Sequence, residues 1–217
     1  MDPDPTHRPT RVPLPQEDFD RKTLVIRATP PATWRNLRWR SSASDKRLYF
    51  ASASGRLTPS SGKAPCIYLA PSDRTSFFEI YGDKMHLAHE ARELPVIGAA
   101  DFVERVFLGV DMPTLNLVDI ISGPGLEAID LDLGTLYATN PVYPRSFAEA
   151  VLRHPSKVDG FLYESRHTKE TCAVVWSFHR PALAKVQWRV DRTLGDYAAN
   201  LSGDQADVFG VRVQIAS

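Results

Sequence analysis

The apolar residues of this chain come in short runs, and almost every run is closed by proline, glycine or a polar cluster. Leu24-Val25-Ile26 ends at a Pro-Pro pair, Cys66-Ile67-Tyr68-Leu69-Ala70 at Pro71-Ser72, and the run from Leu115 at Ser122-Gly123-Pro124-Gly125. Runs of this length make strands or short buried helices. None approaches the ~20 apolar residues that a membrane-spanning helix needs. With 217 residues and 43% hydrophobic content the chain can bury a core of ordinary size.

The spacing predicts strands over residues 23–28, 65–70, 103–110, 115–121, 160–165, 172–178 and 208–215. Ser72 is placed to cap a helix with Asp73 in its first turn and Phe77, Phe78 and Glu79 on it, fading near Gly82-Asp83. Residues 146–153 carry Phe147, Ala150 and Val151 at helical spacing, and 194–201 also has a helical composition. Residues 29–65, rich in Ser, Arg and Pro, are expected to form a long connection with a brief apolar piece at 48–51. Residues 1–20 contain five prolines and are expected to be an irregular arm, leaving 21–217 as a single domain. Short strands and helices in irregular order predict an α+β fold.

Several function classes lack support. There is no internal repeat, no GxGxxG, no GxxxxGK[ST] and no GxSxG. Two cysteines without a CxxC, and six scattered histidines, argue against a zinc site. Cys66 and Cys172 each lie in an apolar run and are expected as buried free thiols. The formal net charge is zero, so no overall field favours nucleic acid or an anionic membrane. The first residues have neither the basic start nor the apolar core of a secretion signal, and a cytoplasmic protein is expected.

Three stretches carry more chemistry when read together. Ser54-Gly55-Arg56-Leu57 comes first. Tyr68 follows within Cys-Ile-Tyr-Leu-Ala, with Glu79 eleven positions later on the helix capped by Ser72. The third runs from Asp159-Gly160-Phe161-Leu162-Tyr163-Glu164-Ser165-Arg166-His167 through Thr171-Cys172-Ala173 to Trp176. Taken singly, each residue has a plain structural reading. Glu79 would be a solvated helix carboxylate, Tyr68 a half-buried strand tyrosine, Arg27 and Arg56 surface cations, His167 a turn residue, and Trp176 and Trp188 core aromatics. Glu79 departs from that reading because it sits between two phenylalanines and an Ile-Tyr pair, where an idle charge is costly to bury.

In this order the stretches resemble the RES domain, over roughly residues 23–190. The family's arginine, tyrosine, glutamate and serine fall on Arg56, Tyr68, Glu79 and Ser165, and a further arginine of an early strand on Arg27. Two features differ from the family pattern: Leu57 replaces an aromatic residue, and the stretch 58–65 is longer. The resemblance implies an ADP-ribosyltransferase-like fold and cleavage of NAD at its nicotinamide–ribose bond, with phosphate or water as acceptor. NAD is then a substrate and inorganic phosphate a co-substrate, with no metal and no resident cofactor. It also implies a bacterial toxin blocked by an Xre-type helix-turn-helix antitoxin, in a complex that could contain more than one copy of the toxin.

On that footing Glu79, Arg56, Tyr68 and Ser165 are the expected catalytic residues, and Arg27, Arg166 and His167 the expected substrate-binding ones. Nicotinamide leaves as a neutral ring after having been a cation, so no general acid is required. One carboxylate beside the ribose suffices to stabilise the oxocarbenium ion. Tyr68 would stack on the cationic ring, the arginines would grip pyrophosphate or phosphate, and Ser165 would bond the ribose or the attacking phosphate. Two readings stay beside this one: transfer of ADP-ribose to a protein, and a RES-like binding protein without activity.

Overall fold

A computed structural model describes residues 16–44, 55–62, 64–131, 133–137 and 141–216. Residues 1–15 of the expected arm and the apolar piece at 48–51 lie outside the described residues. In chain order the elements are α1 (Gln16–Phe19), β1 (Ile26–Thr29), β2 (Ala32–Trp39), α2 (Arg40–Ser44), β3 (Cys66–Leu69) and α3 (Asp73–Ala91). Next come β4 (Val96–Gly98), α4 (Ala99–Glu104), β5 (Arg105–Met112), β6 (Leu115–Asp119), α5 (Gly123–Ile129), α6 (Leu133–Leu136) and α7 (Val142–Arg153). The chain continues through β7 (Gly160–Glu164), β8 (Thr171–Trp176), β9 (Trp188–Thr193), β10 (Ala198–Ser202), β11 (Gln205–Val208) and β12 (Val211–Ala216). This is the expected α+β class.

The described residues form three sheets. The largest has the order β1-β6-β7-β8-β3, with β6 and β7 parallel and the other pairs antiparallel. A second has the order β2-β5-β9 and a third β10-β11-β12-β4. Arg35 of β2 and Ala70, just past β3, exchange backbone hydrogen bonds of 2.8 and 2.9 Å, joining the first two sheets at one edge.

Strand alternation explains how one sheet serves two cores. Phe161 and Tyr163 of β7 face α7, where Phe161 stacks on Phe147 and meets Trp176 edge-on. Leu162, between them, faces the opposite core with Ile67, Leu69 and the β5 residues Val106, Leu108 and Val110. A third core holds Phe77 and Tyr81 of α3 against Phe107, Ala206, Val208 and Val213.

Several elements differ from the sequence expectation. The 29–65 stretch is not one long connection, because β2 pairs with β5 along all eight of its residues. Its inward side chains include Asn36 and Arg38, so the apolar alternation that marks a strand is missing. The helix over Glu79 does not fade at Gly82-Asp83 but runs to Ala91, where Arg92 closes it in the left-handed conformation. Gly82 lies inside it for a packing reason: a Cβ there would stand 2.4 Å from the His167 ring.

Residues 16–19 form a helical turn rather than part of an arm, held by Phe19 against Phe147 and His154. The strand expected from 103 begins at Arg105, after a helix, and 122–125 starts α5 with Ser122 as its cap. Residues 194–201 make a single 3-10 turn and then β10, not a helix. The last expected strand, 208–215, is interrupted at Phe209-Gly210, with φ of 50° and 82°, where β11 turns back into β12. Two successive positive φ values fit a tight two-residue turn.

Candidate functional site

Strands β2 and β3, helix α3, the end of β7 and the segment 55–58 surround a cavity of about 670 Å³. That is the size range of small-molecule sites. Glu79 lies on its wall in the second turn of α3. Ser72 fixes the start of that helix by accepting a hydrogen bond from the Thr75 backbone N–H at 3.1 Å.

Both carboxylate oxygens of Glu79 accept hydrogen bonds from hydroxyls. Ser165 Oγ donates to Oε1 at 2.6 Å, and the Tyr163 hydroxyl donates to Oε2 at 2.7 Å. Short contacts of this kind are the stronger, charge-assisted sort. Tyr163 and Ser165 are themselves buried. Burial, followed by the Glu79 charge, pushes the Tyr163 phenol well above its ordinary range, so it stays a donor. Ser165 opens a tight turn in which the Lys169 N–H bonds its carbonyl at 2.9 Å and the Thr168 N–H reaches its hydroxyl at 3.3 Å.

Tyr68 stands on β3 with its ring edge-on to Tyr163 at 6.4 Å. Its hydroxyl accepts from the Leu57 backbone N–H at 2.8 Å and lies 3.2 Å from Thr58 Oγ1. It therefore pins the segment that carries Arg56 onto the cavity. Gly55 is required there, since a Cβ would approach the Tyr68 hydroxyl to 2.3 Å. Leu57 is buried in the first core.

The cavity is rich in cations. Arg38 and Arg56 both line it. Burial pushes the Arg38 guanidinium down to about 10, which leaves it charged at neutral pH. Arg56 is also lowered, by burial and then by Arg166 across from it. Arg166 and His167 reach the same wall from the turn after Ser165. Burial and then the Arg166 charge lower His167, so its ring is neutral at pH 7.

The structure thus brings Glu79, Arg56, Tyr68, Arg166 and His167 to one cavity, with Ser165 directly behind Glu79. It does not bring Arg27, which is on the far edge strand of the large sheet, ion-paired with Asp119. The strand arginines at the cavity are Arg38 of β2 and Arg105 of β5. Sequence reasoning missed Arg38 and Tyr163. The first lies in a strand whose polar residues hid it, and the second sits inside the Asp159–His167 motif but reads as an ordinary strand tyrosine. The motif's opening pair is scaffolding: Asp159 accepts from the Asn116 backbone N–H at 2.9 Å, and a Cβ at Gly160 would collide with the Val174 carbonyl at 1.8 Å. Among the described residues no group of His, Cys, Asp and Glu is arranged to hold a metal ion, and no helix is long and apolar enough to cross a membrane.

The family model for the RES domain matches residues 21–197. No curated protein matches the sequence significantly. Among solved structures, the chain is similar to one in the crystal structure of the MbcT–MbcA toxin–antitoxin complex of M. tuberculosis. Identity is 16%, the match covers 82% of this chain and 90% of that one, and the TM-score is 0.48.

Proposed function

This chain belongs to the RES domain family, and from that premise we propose that it cleaves NAD at the nicotinamide–ribose bond and passes the ADP-ribosyl group to phosphate or water. The observation that carries the reading is Glu79, held by two hydroxyl donors at the wall of a cavity bearing several arginines. A carboxylate fixed in advance stabilises developing positive charge without reorganising during the reaction.

The steps need few groups. NAD enters with its pyrophosphate toward Arg38 and Arg56, whose planar forks suit phosphate oxygens. Its positively charged pyridinium lies near the Tyr68 ring, whose hydroxyl stays engaged with Leu57. As the C–N bond lengthens, its electron pair goes to the ring nitrogen and nicotinamide leaves neutral. The oxocarbenium ion forms against Glu79, and phosphate, or water losing a proton to solvent, adds to the anomeric carbon. Tyr163 and Ser165 hold the carboxylate in place, and Tyr163 is too weak an acid to give up its proton. The reaction calls for no metal and no resident cofactor.

At the cellular level the proposed role is that of a toxin that depletes NAD, with an Xre-type helix-turn-helix antitoxin as partner and the ADP-ribosyltransferase-like arrangement that goes with the family. Product analysis after incubating the purified protein with NAD, with and without inorganic phosphate, tests the chemistry. ADP-ribose-1″-phosphate identifies phosphate as acceptor, and ADP-ribose identifies water. ADP-ribose found only on protein would replace this reading with that of a protein-modifying transferase.

A further inference from the structure

Asp83 lies one helical turn beyond Glu79 on α3, at the same cavity wall. The described contacts put it to a specific use. Arg166 is held along one edge of its guanidinium: Nη2 donates to Asp83 Oδ1 and Nε to His167 Nε2 at 3.2 Å, and that ring nitrogen lies 3.3 Å from the same Asp83 oxygen. The second bond requires Nε2 to be the unprotonated ring nitrogen, in keeping with a neutral His167. His167 is seated on the helix at Gly82, where only a missing side chain leaves room for its ring.

Arg56 and Arg166 line the same cavity, and the Arg166 charge helps to lower Arg56. Two guanidinium groups on one cavity suit an oxyanion there. Asp83 is the counter-charge that such an anion must displace. Its side chain is 61% exposed and that of Arg166 37%, so the pair is wet and exchanges readily.

We propose that Asp83 limits how strongly the cavity takes a phosphate-like anion, by holding the Arg166 guanidinium to itself. In the NAD reading, on which only this last step rests, the anion is the acceptor, and Asp83 sets the balance between phosphate and water. Asp83 acts through Arg166 and is a positioning residue.

Calorimetric titration of the full chain with inorganic phosphate tests this without turnover. Four proteins are compared: wild type, Asp83→Asn, Arg166→Gln and the double variant. Asp83→Asn should tighten phosphate on the order of fivefold, the size of an exposed charge interaction. In the Arg166→Gln background the same change should alter affinity by less than about twofold. Equal tightening in both backgrounds would overturn the proposal, because Asp83 would then act as a general field. So would unchanged or weaker binding in Asp83→Asn, or no binding by any of the four. Thermal melting of each variant checks the fold, which two solvent-facing side chains should leave intact. The expected pattern without nicotinamide release from NAD would count against the NAD reading alone.

Discussion

Glu79 is useful because of what surrounds it. A helix carboxylate in solvent samples many rotamers, whereas this one has a hydroxyl on each oxygen. Tyr163→Phe keeps the ring packing and removes one donor. A hydrogen bond to a charged group contributes about 1.5–3 kcal/mol, so the melting temperature should fall by several degrees and nicotinamide release by about tenfold or more. Steady-state kinetics beside a melting curve checks this. His167 gives a pH prediction. Burial lowers its folded-state value below the unfolded 6.5, so the unfolded chain takes up the proton first. Its contribution to stability is complete above 6.5 and is lost as pH falls from there toward the lower folded value. His167→Gln should flatten that part of the stability–pH curve, as read by denaturant unfolding from pH 7.5 to 5. Glu79, Arg56, Tyr68 and Ser165 were legible in sequence because four residue types fell in family order. Arg38 was not, since an arginine pointing into a cavity looks like any other arginine until its strand is known.

The helix that carries Glu79 is positioned at its start and near its middle. Arg35 of β2 ion-pairs with Asp73 in its first turn and with Asp191 of β9, and the Tyr197 hydroxyl also bonds Asp73. Near its middle, Gly82 admits the His167 ring. In an isolated helix Gly→Ala is stabilising by about 1 kcal/mol. Here Gly82→Ala is expected to lower the melting temperature and the rate of NAD cleavage together, because the new methyl would meet the ring at 2.4 Å. A melting point that rises would mean that the turn 165–170 is not seated as described. The sequence made this helix visible from its cap but suggested too early an end, for glycine reads as a breaker when its packing partner is unknown. β2 stayed hidden for a related reason: its polar residues bond across elements, as Asn36 does to the Tyr68 carbonyl at 2.8 Å.

At the scale of the whole molecule, residues 198–216 lie beyond the family match and still complete the third core behind α3. Phe209 holds a left-handed backbone with φ of 50° while its ring meets Phe77, Phe107 and Tyr197. Such a conformation costs about 1 kcal/mol or more in a residue with a side chain, so the packing must outweigh it. Phe209→Ala should destabilise the fold by about 2–3 kcal/mol, measurable by urea unfolding. A change near zero would show the hairpin to be an appendage. Sequence periodicity runs the last expected strand, 208–215, through the turn and misses β11, because the turn is Phe-Gly and not one of the usual polar pairs. The claim on which the functional account depends remains the Glu79 carboxylate, and the most direct measurement is nicotinamide release from NAD by wild type and Glu79→Gln at equal concentration. The account predicts turnover by the wild type and a loss of at least a hundredfold, about 2.7 kcal/mol of transition-state stabilisation, in a variant that melts like the parent. Equal turnover by the two proteins would contradict it.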